Sequence, residues 1–160
     1  MAKLNRILVP VDFSACSRAA IDYASFLAQI TGASVDVLHV WEPALYPTPE
    51  AAVYAAGERH QRLVEFTITD AGRAMEETLA ELEKSLTGRV RGRLESGRPL
   101  EAILAAIAEG YDLVVMGTHG RRGVSRLVTG SVAEKVVRMA ACPVVTVHAG
   151  EIADPVSLTA

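Results

Sequence analysis

Apolar positions along this chain fall into two alternating rhythms. Four short runs crowded with valine, "RILVPV" (6–11), "SVDVLHVW" (34–41), "DLVVMG" (112–117) and "PVVTVH" (143–148), are almost continuously apolar. That is the pattern of parallel strands covered on both faces. A fifth run, "RVRGRLE" (89–95), alternates Val90, Gly92 and Leu94 with Arg and Glu, so one of its faces is wet and it belongs at a sheet edge. Between the runs the apolar period lengthens to that of a helix. The first helix follows Ser14 as N-cap and stops at Gly32, a residue free to take the left-handed turn. The second runs from about Arg59 to Leu86, with Val64, Ile68, Ala71, Met75, Leu79, Leu82 and Leu86 forming one stripe. A third starts near Pro99 and ends at Gly110, and a fourth starts at Ser131, where "SVAE" reads as a capping box joining Ser131 and Glu134.

Strand and helix in strict alternation predict an α/β fold, a five-stranded parallel doubly wound sheet of flavodoxin-like winding with helices on both faces. Such sheets bind ligands beyond the carboxyl ends of their strands, where the winding reverses. The segments to search are therefore "DFS", "WEP" and "GTHG", just past the first, second and fourth strands. One domain over residues 1–148 accounts for all the periodic segments, and the tail 149–160 has no periodicity and is expected to fray. Residues 42–57, "EPALYPTPEAAVYAAG", hold three of the seven prolines and read as a flap or a partner surface.

Composition narrows the function classes. At 160 residues the chain can bury one real core, and no apolar stretch reaches the roughly 20 residues that span a bilayer. Pro10 and Asp12 cut the first apolar run short of a signal-peptide core, so a cytoplasmic location is expected. Net charge of −3 gives no basic footprint for nucleic acid. Cys16 and Cys142 have no neighbouring Cys or His at metal spacing and are expected to be buried free thiols. The four histidines show no i, i+4 pairing, which leaves no metal motif.

The chemistry concentrates between the fourth strand and the fourth helix. "GTHGRRGVSRLVTGS" (117–131) holds four glycines and three arginines, far more chain than a strand-to-helix turn requires. Backbone N–H groups reach phosphate oxygens closely only where no Cβ intervenes, and a helix start adds unsatisfied N–H groups and a favourable dipole. Gly117, Gly120 and Gly130 followed by Ser131 meet both needs, and His119 lies where it can touch a phosphate. Asp12, closing the first strand, is placed either to accept from a ribose or adenine amine or to serve as a turn residue. The backbone around Val40 can offer an amide and a carbonyl to a base edge. A Walker motif, a dinucleotide fingerprint and a G-x-S-x-G elbow are all missing.

Taken together, "ILVPVDFS", "VLHVWEP" and the stretch from "SGRPLEAIL" through "DLVVMGTHGRRGVSRLVTGSVAEKVV" to "CPVVTV" resemble the universal stress protein family in its single-domain nucleotide-binding form, over about residues 3 to 148. The spacing G-x2-G-x9-G-[ST] carries most of that resemblance. It implies an adenine-nucleotide binder, usually of ATP, on a sheet that is flavodoxin-like or adenine nucleotide α-hydrolase-like, with Pro10 and Val11 lining the adenine pocket, Asp12 reading ribose or base, and the backbone near Val40 holding adenine. Met116 and Gly117 would lie against the nucleoside, and Gly120, Gly130, Ser131 and Val132 around the phosphates. It further implies a homodimer through the last strand, 143–148, and a magnesium or manganese ion held largely by the phosphates.

The resulting expectation is an ATP-binding stress-response switch with slow or no hydrolysis, since neither a base for water nor a lysine for the γ-phosphate is evident. ADP and AMP fit the same cradle. The open alternatives are a weak ATPase or self-phosphorylating protein using Ser131 or another loop hydroxyl, a ligand-free interaction module, and, more distantly, a flavoprotein.

Overall fold

The structure, a computed structural model, describes residues 3–42, 58–118 and 131–149. Among these residues nine elements follow in the expected alternation: β1 Arg6–Val11, α1 Ala15–Thr31, β2 Ser34–Trp41, α2 Glu58–Leu86, β3 Val90–Ser96, α3 Pro99–Ile107, β4 Leu113–Gly117, α4 Ser131–Met139 and β5 Val144–Val147. All five strands pair in parallel, in the order β3-β2-β1-β4-β5. The doubly wound class is the one expected. Within it, the strand order is the 3-2-1-4-5 of dinucleotide-binding sheets and differs from the 2-1-3-4-5 of flavodoxins, so the winding reverses between β1 and β4.

Side chains alternate across the sheet and build two cores. Ile7, Val9, Val35, Val37, Leu113 and Val115 face α1 and α2, while Leu8, Leu38, Val114 and Met116 face α3 and α4. The signals at the two ends of the first helix act as read. Ser14 Oγ accepts from Ser17 N, and Gly32, at φ 79°, closes α1 by donating to the Ala28 carbonyl. Helix α3 begins at Pro99 as expected but ends at Ile107, with the next three residues turning through Gly110 at φ 95° into β4.

β3 lies at one sheet edge, as expected, but its faces are not divided as its alternation suggested: Arg91 is exposed, Arg93 and Glu95 are half-buried in ion pairs, and Leu94 is 42% exposed. β5 forms the other edge and is only half covered. The two cysteines depart from expectation. Both are free but only half-buried: Cys16 lies in the first turn of α1 and Cys142 in the turn before β5. Partial burial, followed by the charge of Asp112, pushes the Cys142 thiol up and keeps it protonated.

A buried polar group in the second core has no counterpart among the expectations from sequence. Asp36, in the middle of β2 and 5% exposed, accepts from the hydroxyl of Tyr111 and, at 3.2 Å, from Arg6 Nη2. Arg6 lies 4.2 Å over the Tyr111 ring. Next to them Arg93 grips Glu109 with two bonds, of 2.7 and 2.8 Å, and Glu95 with another of 2.6 Å. These contacts hold the Arg93 guanidinium charged and pull the Glu109 carboxyl below its ordinary range.

Candidate functional site

The candidate site lies where the β1–β4 ladder ends. At the amino end β1 and β4 are tied firmly: Asp112 Oδ2 accepts from the amides of Asn5 and Arg6 at 2.8 and 2.9 Å, and Asp112 N donates to the Arg6 carbonyl at 3.0 Å. Those two amides hold the Asp112 carboxyl below the usual carboxylate range. Toward the carboxyl end the ladder stops after Ile7–Leu113 and Leu8–Val114, whereas β1 and β2 stay paired to Val11–His39.

Proline explains the difference. The Arg6 carbonyl points to β4 and the Asn5 carbonyl to β2, accepting from Ser34 N, so the backbone groups of Leu8 and Pro10 also point to β4. Pro10 has no N–H to give on that side. The ladder between the two central strands therefore ends at the switch point, where β1 leads to α1 on one face of the sheet and β4 leads towards α4 on the other, the arrangement that leaves a crevice at the carboxyl ends of doubly wound sheets.

Asp12, half-buried, opens the β1–α1 turn at this end of the sheet. Its Oδ1 accepts from Ser14 N at 3.0 Å and from Ser17 Oγ at 2.6 Å, and its own amide donates to Ser17 Oγ at 3.0 Å. The turn role anticipated for Asp12 is thus filled. Between Asp12 and Ser14, Phe13 takes a left-handed conformation at φ 59°, with its ring 4.7 Å from that of His39. His39 in turn holds the Val11 carbonyl through Nδ1 at 2.8 Å. Ser17, Phe13 and His39 were not singled out from the sequence. Only the spacing of Ser17 five residues after Asp12, in "DFSACS", could have pointed to one of them.

Gly117 ends β4 against the first turn of α1. A Cβ on Gly117 would lie 2.8 Å from Cys16 Cβ and 2.9 Å from the Cys16 carbonyl carbon. Glycine at this position is explained by packing alone, before any ligand is considered. The next residue, Thr118, is clamped to the end of β5 by its amide, 3.0 Å from the Val147 carbonyl, and by its hydroxyl, 2.6 Å from His148 Nδ1.

The remaining candidates divide by face. Met116, Val40 and Val132 belong to the core under α3 and α4, and Pro10, two residues from Leu8, shares their side of β1. Val11 points the other way, into the core under α1 and α2. Ser131 is exposed and opens α4. His119, Gly120 and Gly130, the three arginines of the same stretch, residues 43–57 and the tail from 150 lie outside the described residues. Among the described residues no group of three or more His, Cys, Asp or Glu is placed to hold a metal, and no helix is long and apolar enough to cross a membrane. A shallow pocket of about 170 Å³ also opens between α1 and α2, lined by Phe13, Arg18, Glu77 and Thr78, on the opposite side of the sheet from Met116 and Val40.

The comparisons with known proteins agree with this architecture. A universal stress protein of Thermus aquaticus is 38% identical over 145 residues, covering 89% of this chain and 97% of that protein. The universal stress protein UspA of Lactobacillus plantarum superposes with a TM-score of 0.80 at 26% identity, covering 92% of this chain and 99% of that one. Two more distant proteins with the same fold were solved with adenine nucleotides. One is a universal stress protein in complex with cAMP, 21% identical with a TM-score of 0.64 over 92% of this chain and 99% of that one. The other, from Archaeoglobus fulgidus, is in complex with dAMP, 20% identical with a TM-score of 0.63 over 91% and 99%. The model of the universal stress protein family matches residues 3–148, and the chain belongs to that family.

Proposed function

We propose that this protein binds adenine nucleotides, ATP foremost, in the crevice between β1 and β4 and acts as a nucleotide-dependent stress-response switch with slow or no hydrolysis. The observation that carries the reading is the end of the β1–β4 ladder short of Pro10, at the switch point of the sheet, beside a carboxylate already held in place by its own turn. In this reading Pro10, Val40 and Met116 form the apolar floor for the base, and Asp12 accepts from ribose or base. Gly117 sets the entry, and His119, Gly120, Gly130, Ser131 and Val132 surround the phosphates. Two proteins of the same fold hold cAMP and dAMP, which supports the choice of base. Magnesium or manganese, where it accompanies the phosphates, takes most of its ligands from them, since hard cations need oxygen donors and the described residues offer no carboxylate cluster.

Calorimetric titration of ATP, ADP and AMP, with and without magnesium, into nucleotide-stripped protein tests this. The parent binds ATP, and Gly130→Val, which adds a branched side chain where backbone must approach phosphate, weakens binding at least tenfold while leaving the melting temperature in place. A folded parent that binds none of the three nucleotides overturns the reading.

We further propose that the protein is a cytoplasmic homodimer paired through β5. Exposed apolar side chains support this. Among the described residues the large ones are Tyr23, Phe26, Ile30, Leu94, Val137 and Met139, and all but Leu94 stand on α1 or α4, the helices packed against β5 on its two faces. Phe26 and Ile30 are 55% and 65% exposed, on the flank of α1 turned away from the side where Arg18 pairs with Glu81 and Ser25 meets Ser85 on α2. The opposite sheet edge, β3, is guarded by Arg91, Arg93 and Glu95, whereas β5 carries no charge. A two-fold pairing of β5 with its twin would cover both the edge and its apolar flanks. In sedimentation velocity the parent runs as a dimer and the Phe26→Lys, Ile30→Lys double variant as a folded monomer. A parent that sediments as a monomer at micromolar concentration removes the proposal.

A further inference from the structure

We infer that Ser17 is a positioning residue for the nucleotide site, acting through Asp12; the inference rests on the nucleotide-binding reading above. Ser17 is the third residue of α1, 4% exposed, and its side chain turns back beneath the β1–α1 turn. There its hydroxyl does two jobs at once. It accepts the Asp12 amide at 3.0 Å and donates to Asp12 Oδ1 at 2.6 Å, while the Ser17 amide donates to the Ser14 cap at 3.3 Å.

The arrangement inverts an ordinary capping box. In that motif a long Glu or Gln at the third helical position reaches back to the amide of the cap residue. Ser17 is too short for the reach, and Asp12 takes the Ser14 amide instead, at 3.0 Å. Asp12 is thereby bonded at both its amide and its carboxylate to one buried hydroxyl, and its side-chain torsions are fixed before any ligand arrives. A helix cap alone has no need of the Ser17 hydroxyl, because Ser14 already satisfies the Ser17 amide. The extra contacts serve the orientation of Asp12 at the crevice.

Preorganisation of this kind acts on affinity by removing the cost of ordering a side chain on binding. Ser17→Ala frees the Asp12 carboxylate to turn, and the expected loss of ATP affinity is about two- to tenfold. The loss must pass through Asp12, which gives the inference a signature that general loosening of the turn does not share. In a double-mutant cycle read by ATP titration, Ser17→Ala weakens the parent but changes nothing further in an Asp12→Ala background. If Ser17→Ala proves unstable, Ser17→Cys keeps the bulk while weakening both hydrogen bonds, and the same cycle applies.

The outcomes separate cleanly. A parent that binds no nucleotide overturns the functional reading and this inference with it. A parent that binds, with Ser17→Ala equally harmful in both backgrounds, overturns only the role of Ser17. So does a parent that binds undiminished after Asp12→Ala.

Discussion

Gly117→Val unfolds about 6 to 12 °C below the parent, a loss of about 3 kcal/mol at this chain length. The cause is space and not backbone freedom. Gly117 lies at the end of β4 with the first turn of α1 pressed on it, and a Cβ placed there meets Cys16 Cβ at 2.8 Å, its carbonyl carbon at 2.9 Å and its carbonyl oxygen at 3.1 Å. Two of those three atoms are backbone, in a helix pinned on its other side to the core. Relief therefore requires α1 to move as a body away from β4, which displaces Asp12, Ser14 and Ser17 relative to Thr118. Gly117→Ala, with one carbon to accommodate, costs about 1 to 3 kcal/mol for the same reason.

Trimming the neighbour does not help. Cys16→Ala leaves its Cβ and both backbone atoms in place, so the Cys16→Ala, Gly117→Val double variant melts close to Gly117→Val alone. Thermal unfolding followed by circular dichroism measures all three. A Gly117→Val protein that melts with the parent would falsify the close approach of α1 to β4 and, with it, the packing account of this glycine.

Features set by near neighbours in the chain were legible in the sequence. The continuous valine runs, the Ser14 cap and Gly32 each respond to residues a few positions away, and each was read for that reason. Gly117 was legible as a small residue but not for its cause. Its neighbour, Cys16, lies a hundred residues earlier and is met only once β4 is laid beside β1. The same holds at Pro10. A proline in a central strand reads as an anomaly until the direction of the Arg6 carbonyl shows which neighbour is deprived of a donor.

Strand order was likewise beyond local patterning. The alternation of strands and helices permits more than one doubly wound order, and only the pairings of β1 with both β2 and β4 select this one. On the site, the apolar candidates Pro10, Val40, Met116 and Val132 fall on one face by the period of the strands and helix that carry them. Val11 falls on the other. Ser17 and His39 went unnoticed because their partners, Asp12 and the Val11 carbonyl, become neighbours only through the left-handed Phe13 turn and the β1–β2 register.

Asp36→Ala is the second change expected to be severe, at about 2 to 4 kcal/mol. Asp36 stands in a strand otherwise made largely of apolar residues, and its burial is tolerated because Tyr111 donates to it and Arg6 both donates to it and covers Tyr111. Removing the carboxylate deprives the Tyr111 hydroxyl, on a residue 5% exposed, of its acceptor, since its other neighbour, Arg93 at 3.5 Å, can only donate. Arg6 loses less, being partly in water and still bonded to the Glu109 carbonyl at 3.1 Å.

The group acts as a unit, so the costs do not add. Tyr111→Phe alone leaves Asp36 with Arg6 and costs about 1 to 2 kcal/mol. The Asp36→Val, Tyr111→Phe pair, which removes donor and acceptor together, costs less than the sum of its single changes. Alkali supplies an independent reading of the same contact. Burial, followed by the bond to Asp36, raises the Tyr111 phenol above its ordinary value, so the folded protein holds that proton where the unfolded chain releases it. Its contribution to stability is complete below about pH 10 and is lost as pH rises from there through the raised folded value. Urea unfolding across that range shows a steeper alkaline decline for the parent than for Tyr111→Phe. Parallel declines, together with additive costs in the mutant pair, would show that Tyr111 and Asp36 do not share a proton-bearing contact in the folded protein.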